Sequence, residues 1–317
     1  MKASIHIAFG LEDRGGAYAP HMAATMVSIL EHTARPVTFH VLTDASLVEP
    51  SRAQLRTLCG AHGAEVLFHD IVLPEAGVGN EQALARLSRG SLYRLKLAEV
   101  LPKDVTRLLY LDCDILVTLD IGAVYDSALD GKSLGAVQDA GAASRFRRFL
   151  FQRHTPLHGT AYFNSGVLLF DLARLREIHD MWSETAGALR RAEGNAFPDQ
   201  AALNIVFADD WQPLPAAYNT FPDAASRVDV PAVYHFAGGP GNKPWATDKY
   251  PLSDYYWHCR AQTPWGDPAA LALAKAQRTQ ALEDAVLTAP IGSRKAFLRN
   301  VLRRLAREAK AVWDMMK

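Results

Sequence analysis

Two aspartates separated by one residue follow an apolar stretch in the first half of the chain. The segment Arg107–Val117 reads RLLYLDCDILV, so Asp112 and Asp114 end a run typical of a buried strand. Two carboxylates near a core are costly unless a positive charge neutralises them. Carboxylate oxygens suit Mg²⁺ and Mn²⁺, which keep open positions for substrate phosphates. The pair therefore predicts a divalent metal site, with a strand cap that faces water as the alternative.

A glycine-rich loop later in the chain lies between a histidine and a lysine. A short apolar strand, VYHF at residues 233–236, delivers His235 to this loop, which ends at Lys243. Glycines let backbone amides approach phosphates closely, and lysine offers a compact charge for phosphate oxygens. An imidazole added to two carboxylates favours Mn²⁺. The segment predicts a metal ligand followed by a phosphate-binding loop, whereas the loop alone is also typical of an ordinary turn.

Two further segments place polar side chains beside apolar elements. Residues 163–170 read FNSGVLLF, and residues 198–204 read PDQAALN. The first predicts a strand preceded by small polar residues that could meet a sugar. The second predicts a helix with an acid and an amide in its first turn. Each pattern alone is also typical of an ordinary turn or helix start.

These four segments, in this order, resemble glycosyltransferase family 8, the retaining transferases that include bacterial lipopolysaccharide and lipooligosaccharide galactosyl- and glucosyltransferases. The matching motifs are Leu-Asp-Cys-Asp, Phe-Asn-Ser-Gly, Asp-Gln-x-x-Leu-Asn and His-Phe-x-Gly followed by Lys-Pro-Trp, and the resemblance extends from Ile5 to about Trp245. It implies a GT-A fold and transfer of galactose or glucose from a UDP-sugar to an oligosaccharide acceptor, which we expect to belong to a lipopolysaccharide or lipooligosaccharide.

The resemblance also implies roles for individual residues. Asp112, Asp114 and His235 are the expected ligands of Mn²⁺ or Mg²⁺, which would bridge the two phosphates of the donor. Gln200 is a poor nucleophile beside the anomeric carbon, which favours a front-face route assisted by the departing phosphate; Asp199 is the alternative nucleophile. The expected donor-binding residues are Ala8, Gly10, Tyr18, Arg94, Asp112, Cys113, Asp114, Asn164, Gly166, Asp199, Gln200, His235, Gly238 and Lys243.

Two segments depart from the family pattern. The loop from Gly10 to Tyr18 is longer and richer in glycine than usual, so either Glu12 or Asp13 is a candidate contact for uracil. The interval from His235 to Lys243 is also two residues longer than the common pattern, so Lys243 is expected to reach the phosphate by a different path.

Composition bounds the class of protein. The chain has 317 residues, 49% of them hydrophobic, which suffices for one large α/β domain with appendages. It contains no apolar run of bilayer-spanning length, and its first residues lack a signal-peptide core, which predicts a cytoplasmic protein. Its cysteines are scattered and odd in number, which favours reduced thiols: Cys59, Cys113 and Cys259.

Apolar segments alternate with helical patterns along the chain, which predicts an α/β fold with a mainly parallel sheet flanked by helices. We expect a catalytic domain over residues 1–262, with nucleotide-sugar binding at about 1–117 and the acceptor side at about 118–262, followed by a helical region at 263–317. Residues 139–156 are expected to form a loop over the acceptor site or a surface helix. Predicted strands are Ile5–Phe9, Val37–Leu42, Ala64–Phe68, Arg107–Leu111, Ser133–Gln138, Ser165–Phe170 and Val230–Phe236; predicted helices are Pro20–His32, Glu49–Ala61 and Leu172–Leu189.

The tail at residues 291–317 has a basic, amphipathic pattern. Its apolar residues, from Leu298 to Met316, recur at helical spacing, and arginines occupy the opposite face. Eight Lys or Arg against Glu308 and Asp314 give the tail a net charge of +6, in a chain whose formal net charge is zero. Basic amphipathic helices lie in membrane interfaces. We therefore expect peripheral association with the anionic inner face of the plasma membrane and no nucleic-acid partner; docking of the tail onto the catalytic domain is the alternative.

Two other functions are compatible with parts of the pattern. A haloacid-dehalogenase-like phosphohydrolase also uses the first acid of an Asp-x-Asp after an apolar strand, but Leu116 stands where that class has Thr or Val. An inactive nucleotide-sugar-binding protein would bind the donor without turnover. Phosphatase activity without a nucleotide sugar would indicate the first alternative, and donor binding without transfer the second.

Overall fold

The computed structural model describes residues 3–74, 88–139, 162–192, 197–247, 250–269 and 271–272. The strands in these ranges are β1 (Ile5–Leu11), β2 (Val37–Thr43), β3 (Glu65–Asp70), β4 (Arg107–Leu111), β5 (Ile115–Val117), β6 (Leu134–Gln138), β7 (Phe163–Asp171), β8 (Trp211–Pro213) and β9 (Val233–His235). Seven of them form a central sheet in the order β3-β2-β1-β4-β7-β6-β8, and β5 pairs with β9 in a small antiparallel sheet.

The central sheet is mostly parallel, as the sequence predicts. Within it, β7 runs antiparallel to both of its neighbours, β4 and β6, and the other adjacent pairs are parallel. The chain passes from β1 to β2 and β3 on one side and then returns to β4 on the other side of β1. In open α/β sheets, ligands bind where the strand order reverses in this way, beyond the carboxyl ends of the strands.

Helices cover both faces of the sheet. In the described ranges they are α1 (Ala19–Leu30), α2 (Glu49–Ala61), α3 (Arg89–Tyr93), α4 (Leu97–Val100), α5 (Ile121–Tyr125), α6 (Leu172–Ile178), α7 (Met181–Arg191), α8 (Pro198–Val206) and α9 (Ser253–Ala261). The face that carries Ile7 and Leu109 packs against α1, α2 and α9. The face that carries Leu108 and Tyr110 packs against α6, α7 and α8.

Most predicted elements are confirmed to within about two residues at each end. The single helix predicted over Leu172–Leu189 is wrong: the chain forms α6 and α7, because Asp180 accepts a hydrogen bond from the Ser183 N–H and caps a new helix. The strand predicted over Val230–Phe236 is also shorter, since β9 comprises Val233–His235 and lies outside the central sheet.

Two predicted segments lie wholly or almost wholly outside the described residues. Residues 140–156 of the expected acceptor loop and the basic tail at 291–317 lie outside the described residues. Among the helices that are described, none combines the length and the apolar character needed to cross a bilayer.

Three histidines form a hydrogen-bonded row across β1, β2 and β3. His6 Nδ1 lies 3.0 Å from His40 Nε2, and His40 Nδ1 lies 3.0 Å from His69 Nε2. His40 is fully buried. Burial, and then the neighbouring His69 and His6, lower the pKa of His40 from its ordinary value of 6.5 to about 3. The folded protein therefore favours the neutral form of this row.

We expect the free energy of unfolding to fall as the pH drops from 7 to 5. Below pH 6.5 the unfolded chain takes up a proton at His40, whereas the folded chain resists protonation down to about pH 3. The unfolded state thus binds more protons across this window, and stability is lost as the pH falls. At pH 5 the loss from His40 alone is about 2 kcal/mol.

Urea unfolding of wild type and a His40→Leu variant at both pH values measures this effect. The variant should lose the share that His40 contributes, about 2 kcal/mol, and keep the share of His21, whose pKa burial also lowers to about 3. The matched control His62→Gln, at an exposed histidine that follows α2, should keep the full dependence. An unchanged pH dependence in His40→Leu would contradict the assignment.

Candidate active site

A cavity of about 730 Å³ lies at the carboxyl ends of β1, β4 and β6, at the reversal in strand order. The residues that line it are mostly polar or charged, with aromatic side chains at several positions. They include Gly10, Glu12, Tyr18, Ser91, Arg94, Tyr110, Asp112, Cys113, Asp114, Asp139, Asn164, Ser165, Phe197, Asp199, Gln200, Phe221, His235, Gly238 and Asn242.

The turn between β4 and β5 holds Asp112 and Asp114 at this cavity. The Asp112 N–H donates to the Gly166 carbonyl on β7 at 2.9 Å, and the Phe236 N–H donates to the Asp114 carbonyl at 3.0 Å. From α1, the buried Thr25 hydroxyl donates to backbone carbonyls on both sides of Asp114. Three separate parts of the chain therefore fix the backbone of the turn.

His235, the last residue of β9, directs Nε2 at both carboxylates. Its Nε2 atom lies 3.6 Å from Asp112 Oδ2 and 3.5 Å from Asp114 Oδ1. One ligand atom from each of these three residues lies within 4.8 Å of the other two. The imidazole packs on the backbone of Gly166, where an added Cβ would lie 2.1 Å from the ring Cε1. The ring position therefore requires glycine at residue 166.

Asp114 carries its charge inside the protein. Burial alone would raise its pKa, but His235 and Lys243 outweigh burial and lower the pKa. Lys243 pairs with Oδ2, while the buried Oδ1 has no hydrogen-bond partner within the described part of the chain. This oxygen, a second carboxylate and an imidazole form a ligand set for a hard divalent cation. The residues present therefore fit Mn²⁺ or Mg²⁺.

Arg94 is buried between two acids on another wall. Its guanidinium lies 4.7 Å from the centre of the Tyr110 ring, 3.6 Å from Asp112 Oδ1 and 3.2 Å from Asp199 Oδ2. Burial would lower the pKa of Arg94, but Tyr110, Asp112 and Asp199 outweigh it and raise the pKa. Burial in turn raises the pKa of Asp199 despite the neighbouring arginine. Arg94 thus links the metal-site turn to the start of α8.

A network of amides and one acid lies beside Arg94. Asp139 Oδ2 accepts hydrogen bonds from Asn164 Nδ2 at 3.2 Å and Gln200 Nε2 at 3.0 Å. Gln200 Oε1 accepts from Asn164 Nδ2 and from the Ser165 N–H, both at 3.1 Å. These interactions hold polar side chains in fixed orientations at the cavity, which is the arrangement that recognition of hydroxyl groups requires.

Glu12 and Asp13, the two candidate contacts for uracil in the first loop, lie in different surroundings. Asp13 is fully buried, and its Oδ1 accepts from the Tyr18 N–H at 2.7 Å and the Ala19 N–H at 2.9 Å, where α1 begins. Glu12 instead lines the cavity and accepts from the Arg89 N–H at 2.9 Å. Of these two carboxylates, Glu12 is therefore the one that faces the cavity.

The glycine-rich loop contains a short 3₁₀ turn, Pro240–Asn242. Gly238 has a φ of 97°, in the left-handed region that favours glycine. Lys243 still reaches the site, where it pairs with Asp114 and donates to the Phe236 carbonyl at 2.9 Å. Close by, Trp245 stacks on His21 of α1 with ring centres 3.7 Å apart, which anchors the end of the loop.

The structure brings most of the predicted donor-binding residues together at the cavity. Three do not line it: Ala8 is buried in the core, Gly166 lies behind His235, and Lys243 reaches Asp114. The predicted set omits Asp139, although this acid follows an apolar strand in the same way as Asp112. It also omits Phe197, Phe221 and the buried Asn219, which no motif signals.

The chain matches a known family over most of its length. The family described as Glycosyl transferase family 8 matches residues 6–249. General stress protein A of Bacillus subtilis (strain 168) is 24% identical over 278 residues, which cover 80% of this chain and 93% of that protein. Lipopolysaccharide 1,2-glucosyltransferase of Escherichia coli (strain K12) is 26% identical over 196 residues, which cover 57% of this chain and 56% of that protein.

A solved structure shares the fold. Galactosyltransferase LgtC, in complex with donor and acceptor sugar analogs, superposes with a TM-score of 0.66 at 23% sequence identity. The match covers 83% of this chain and 96% of that one. The mostly parallel sheet flanked by helices is thus the GT-A arrangement that the sequence predicts.

We expect Gly166→Ala to weaken Mn²⁺ binding by roughly 10- to 100-fold, because the new methyl group displaces the His235 ring. Titration of Mn²⁺ followed by electron paramagnetic resonance measures the affinity. Gly187→Ala, on α7, is the matched control, since its nearest neighbouring atom would lie 3.8 Å from the new Cβ. Equal affinities in the two variants would show that the close packing does not position the ligand.

Proposed function

The chain belongs to glycosyltransferase family 8, and we propose that it is a metal-dependent, retaining hexosyltransferase. Its donor is UDP-galactose or UDP-glucose, with galactose narrowly favoured, and its acceptor is an oligosaccharide of lipopolysaccharide or lipooligosaccharide type. The observation that carries the proposal is the cluster of ligand atoms from Asp112, Asp114 and His235, within 4.8 Å of one another beside a large polar cavity.

Charge at the leaving group supports this chemistry. Cleavage of the bond between the anomeric carbon and the diphosphate leaves the bonding electron pair, and hence negative charge, on UDP. Lys243 and Arg94 supply fixed positive charge next to the metal-site carboxylates. A divalent cation held by Asp112, Asp114 and His235 would neutralise the diphosphate.

The polar wall supports a front-face route for the sugar. The Gln200 amide oxygen already accepts two N–H groups, and Asp199 forms an ion pair with Arg94, so both side chains are engaged. In this route the acceptor hydroxyl attacks the anomeric carbon on the face that the diphosphate leaves, and its proton passes to the departing phosphate oxygen. The resemblance to the family assigns the donor hydroxyls to Asn164 and Asp199, and Asp139 and Gln200 line the same wall of the cavity.

The uracil base is assigned to the first loop. We place Glu12 against the base, because it lines the cavity, and assign Asp13 to the start of α1, because it is buried against the Tyr18 and Ala19 amides. Tyr18 lines the same region and offers an aromatic face. Membership of family 8 removes the haloacid-dehalogenase alternative, and the turnover assay below distinguishes an active transferase from an inactive donor-binding protein.

Metal-dependent release of UDP tests the function. We expect turnover with UDP-galactose or UDP-glucose that requires Mn²⁺ or Mg²⁺ and falls by orders of magnitude in Asp112→Asn and Asp114→Asn, because each removes a charged ligand. A panel of UDP-, GDP- and CMP-sugars identifies the donor.

The control is Asp126→Asn, at an exposed acid that pairs with Arg35 away from the cavity. It should retain wild-type turnover. Undiminished activity in EDTA would contradict the metal site, and activity confined to GDP- or CMP-sugars would contradict the nucleotide assignment.

The basic tail is assigned to the membrane that carries the acceptor. Its net charge of +6 over residues 291–317 complements an anionic surface, and each cation near such a surface contributes about 1 kcal/mol. Peripheral attachment at the inner face of the plasma membrane would hold the catalytic domain, residues 1–262, close to a lipid-linked glycan.

We expect the full chain to bind anionic liposomes in a salt-sensitive manner, and a chain that ends at Pro290 to lose this binding while it keeps transfer to a small soluble acceptor. Co-sedimentation at low and high salt measures binding, and neutral liposomes are the control. If the shortened chain binds anionic liposomes as well as the full chain does, the tail is not the anchor.

A further inference from the structure

Asn219 is a buried asparagine that touches the metal-site histidine from behind. It follows the 3₁₀ turn Ala216–Tyr218 and is 7% exposed. Its Oδ1 lies 3.0 Å from His235 Nδ1, and its Nδ2 donates to Asn164 Oδ1 at 2.8 Å. Asn219 therefore connects the imidazole to the amide network beside the cavity.

The direction of these hydrogen bonds is set by two neighbouring groups, one that can only donate and one that can only accept. The Gly166 backbone N–H can only donate, and it donates to Asn164 Oδ1 at 3.0 Å. On the other side of the Asn164 amide, the Nδ2–H group donates a hydrogen bond to the Asp139 carboxylate at 3.2 Å. Because Asn164 Oδ1 acts as an acceptor, its second hydrogen bond must come from the N–H group of Asn219. The oxygen of the Asn219 amide therefore points toward His235.

This orientation determines the tautomer of the imidazole. The Asn219 oxygen is an acceptor, so His235 Nδ1 carries a hydrogen, and in the neutral imidazole Nε2 keeps its lone pair. Nε2 is the atom that faces Asp112 and Asp114. A histidine binds a metal through an unprotonated nitrogen, and the group bonded to its other nitrogen fixes the ring.

We propose that Asn219 is a positioning residue that fixes the metal-binding tautomer of His235 and couples it, through Asn164, to the residues that face the donor sugar. The inference rests on the proposed metal site. An amide suits this position because its oxygen accepts from His235 while its nitrogen donates to Asn164. A carboxylate would keep the first interaction and place two acceptor oxygens against each other in the second.

The tautomer is measured without metal by long-range ¹H–¹⁵N NMR on histidine-labelled protein, with His235→Gln used to assign the signal. Wild type should show His235 protonated at Nδ1. In Asn219→Ala, protonation should move toward Nε2, which would then donate to the nearby carboxylates, and Mn²⁺ affinity should fall by about 10- to 100-fold. Thermal unfolding of each variant separates loss of position from loss of fold.

Asn219→Asp is the second variant and decides the question if Asn219→Ala does not fold. It should keep the Nδ1-protonated tautomer and a Mn²⁺ affinity within about threefold of wild type. It should raise the KM for the donor, because it disturbs only the contact with Asn164. Thr220→Val, at the adjacent position whose hydroxyl bonds only the Ala216 carbonyl in the described contacts, should match wild type in both measurements.

The outcomes separate this inference from the proposed function. If wild type binds no Mn²⁺, the metal site itself is wrong. If wild type binds Mn²⁺ and Asn219→Ala retains both the Nδ1-protonated tautomer and the affinity, Asn219 does not position His235. Loss of Mn²⁺ affinity in Asn219→Asp with an unchanged KM would also overturn the proposal.

Discussion

The concentration of negative charge at the end of β4 constrains the rest of the site. Asp112 and Asp114 stand one residue apart, and Asp114 is only 8% exposed. Like charges this close disfavour the ionised state unless positive charge compensates. The chain supplies that charge from distant positions: Lys243 pairs with Asp114, and Arg94 lies between Asp112 and Asp199. The two carboxylates therefore require positively charged groups beside them.

The sheet topology makes this convergence possible. Because β7 runs antiparallel to β4, its first residues meet the carboxyl end of β4, and Gly166 comes to lie beneath His235. Because β6 also pairs antiparallel with β7, Asp139 follows β6 at the same edge and accepts from Asn164. One reversed strand thus joins the metal-site side of the cavity to its amide-rich side.

The sequence predicts the parts of the site in which local pattern and chemistry coincide. The metal ligands can be predicted where an apolar strand runs into Asp-x-Asp, or into a histidine before a glycine-rich loop, because strand and ligand are adjacent in the chain. The role of Asn219 cannot be predicted in this way. It depends on contacts with His235 and Asn164, which lie 16 and 55 positions away in the chain. Nor can the choice between Glu12 and Asp13 be predicted, since it depends on the amides at the start of α1. The break between α6 and α7 likewise depends on one capping acid that interrupts a continuous helical pattern.

The central claim is that Asp112, Asp114 and His235 together hold a divalent cation that the diphosphate of the donor also contacts. Anomalous X-ray diffraction at the manganese edge, from crystals soaked with MnCl₂ and UDP, tests it most directly. The account predicts a manganese peak within about 2.5 Å of one oxygen of each aspartate and of Nε2 of His235, with phosphate oxygens completing the coordination. A peak elsewhere, or a diphosphate bound in the cavity without manganese at these three residues, would contradict it.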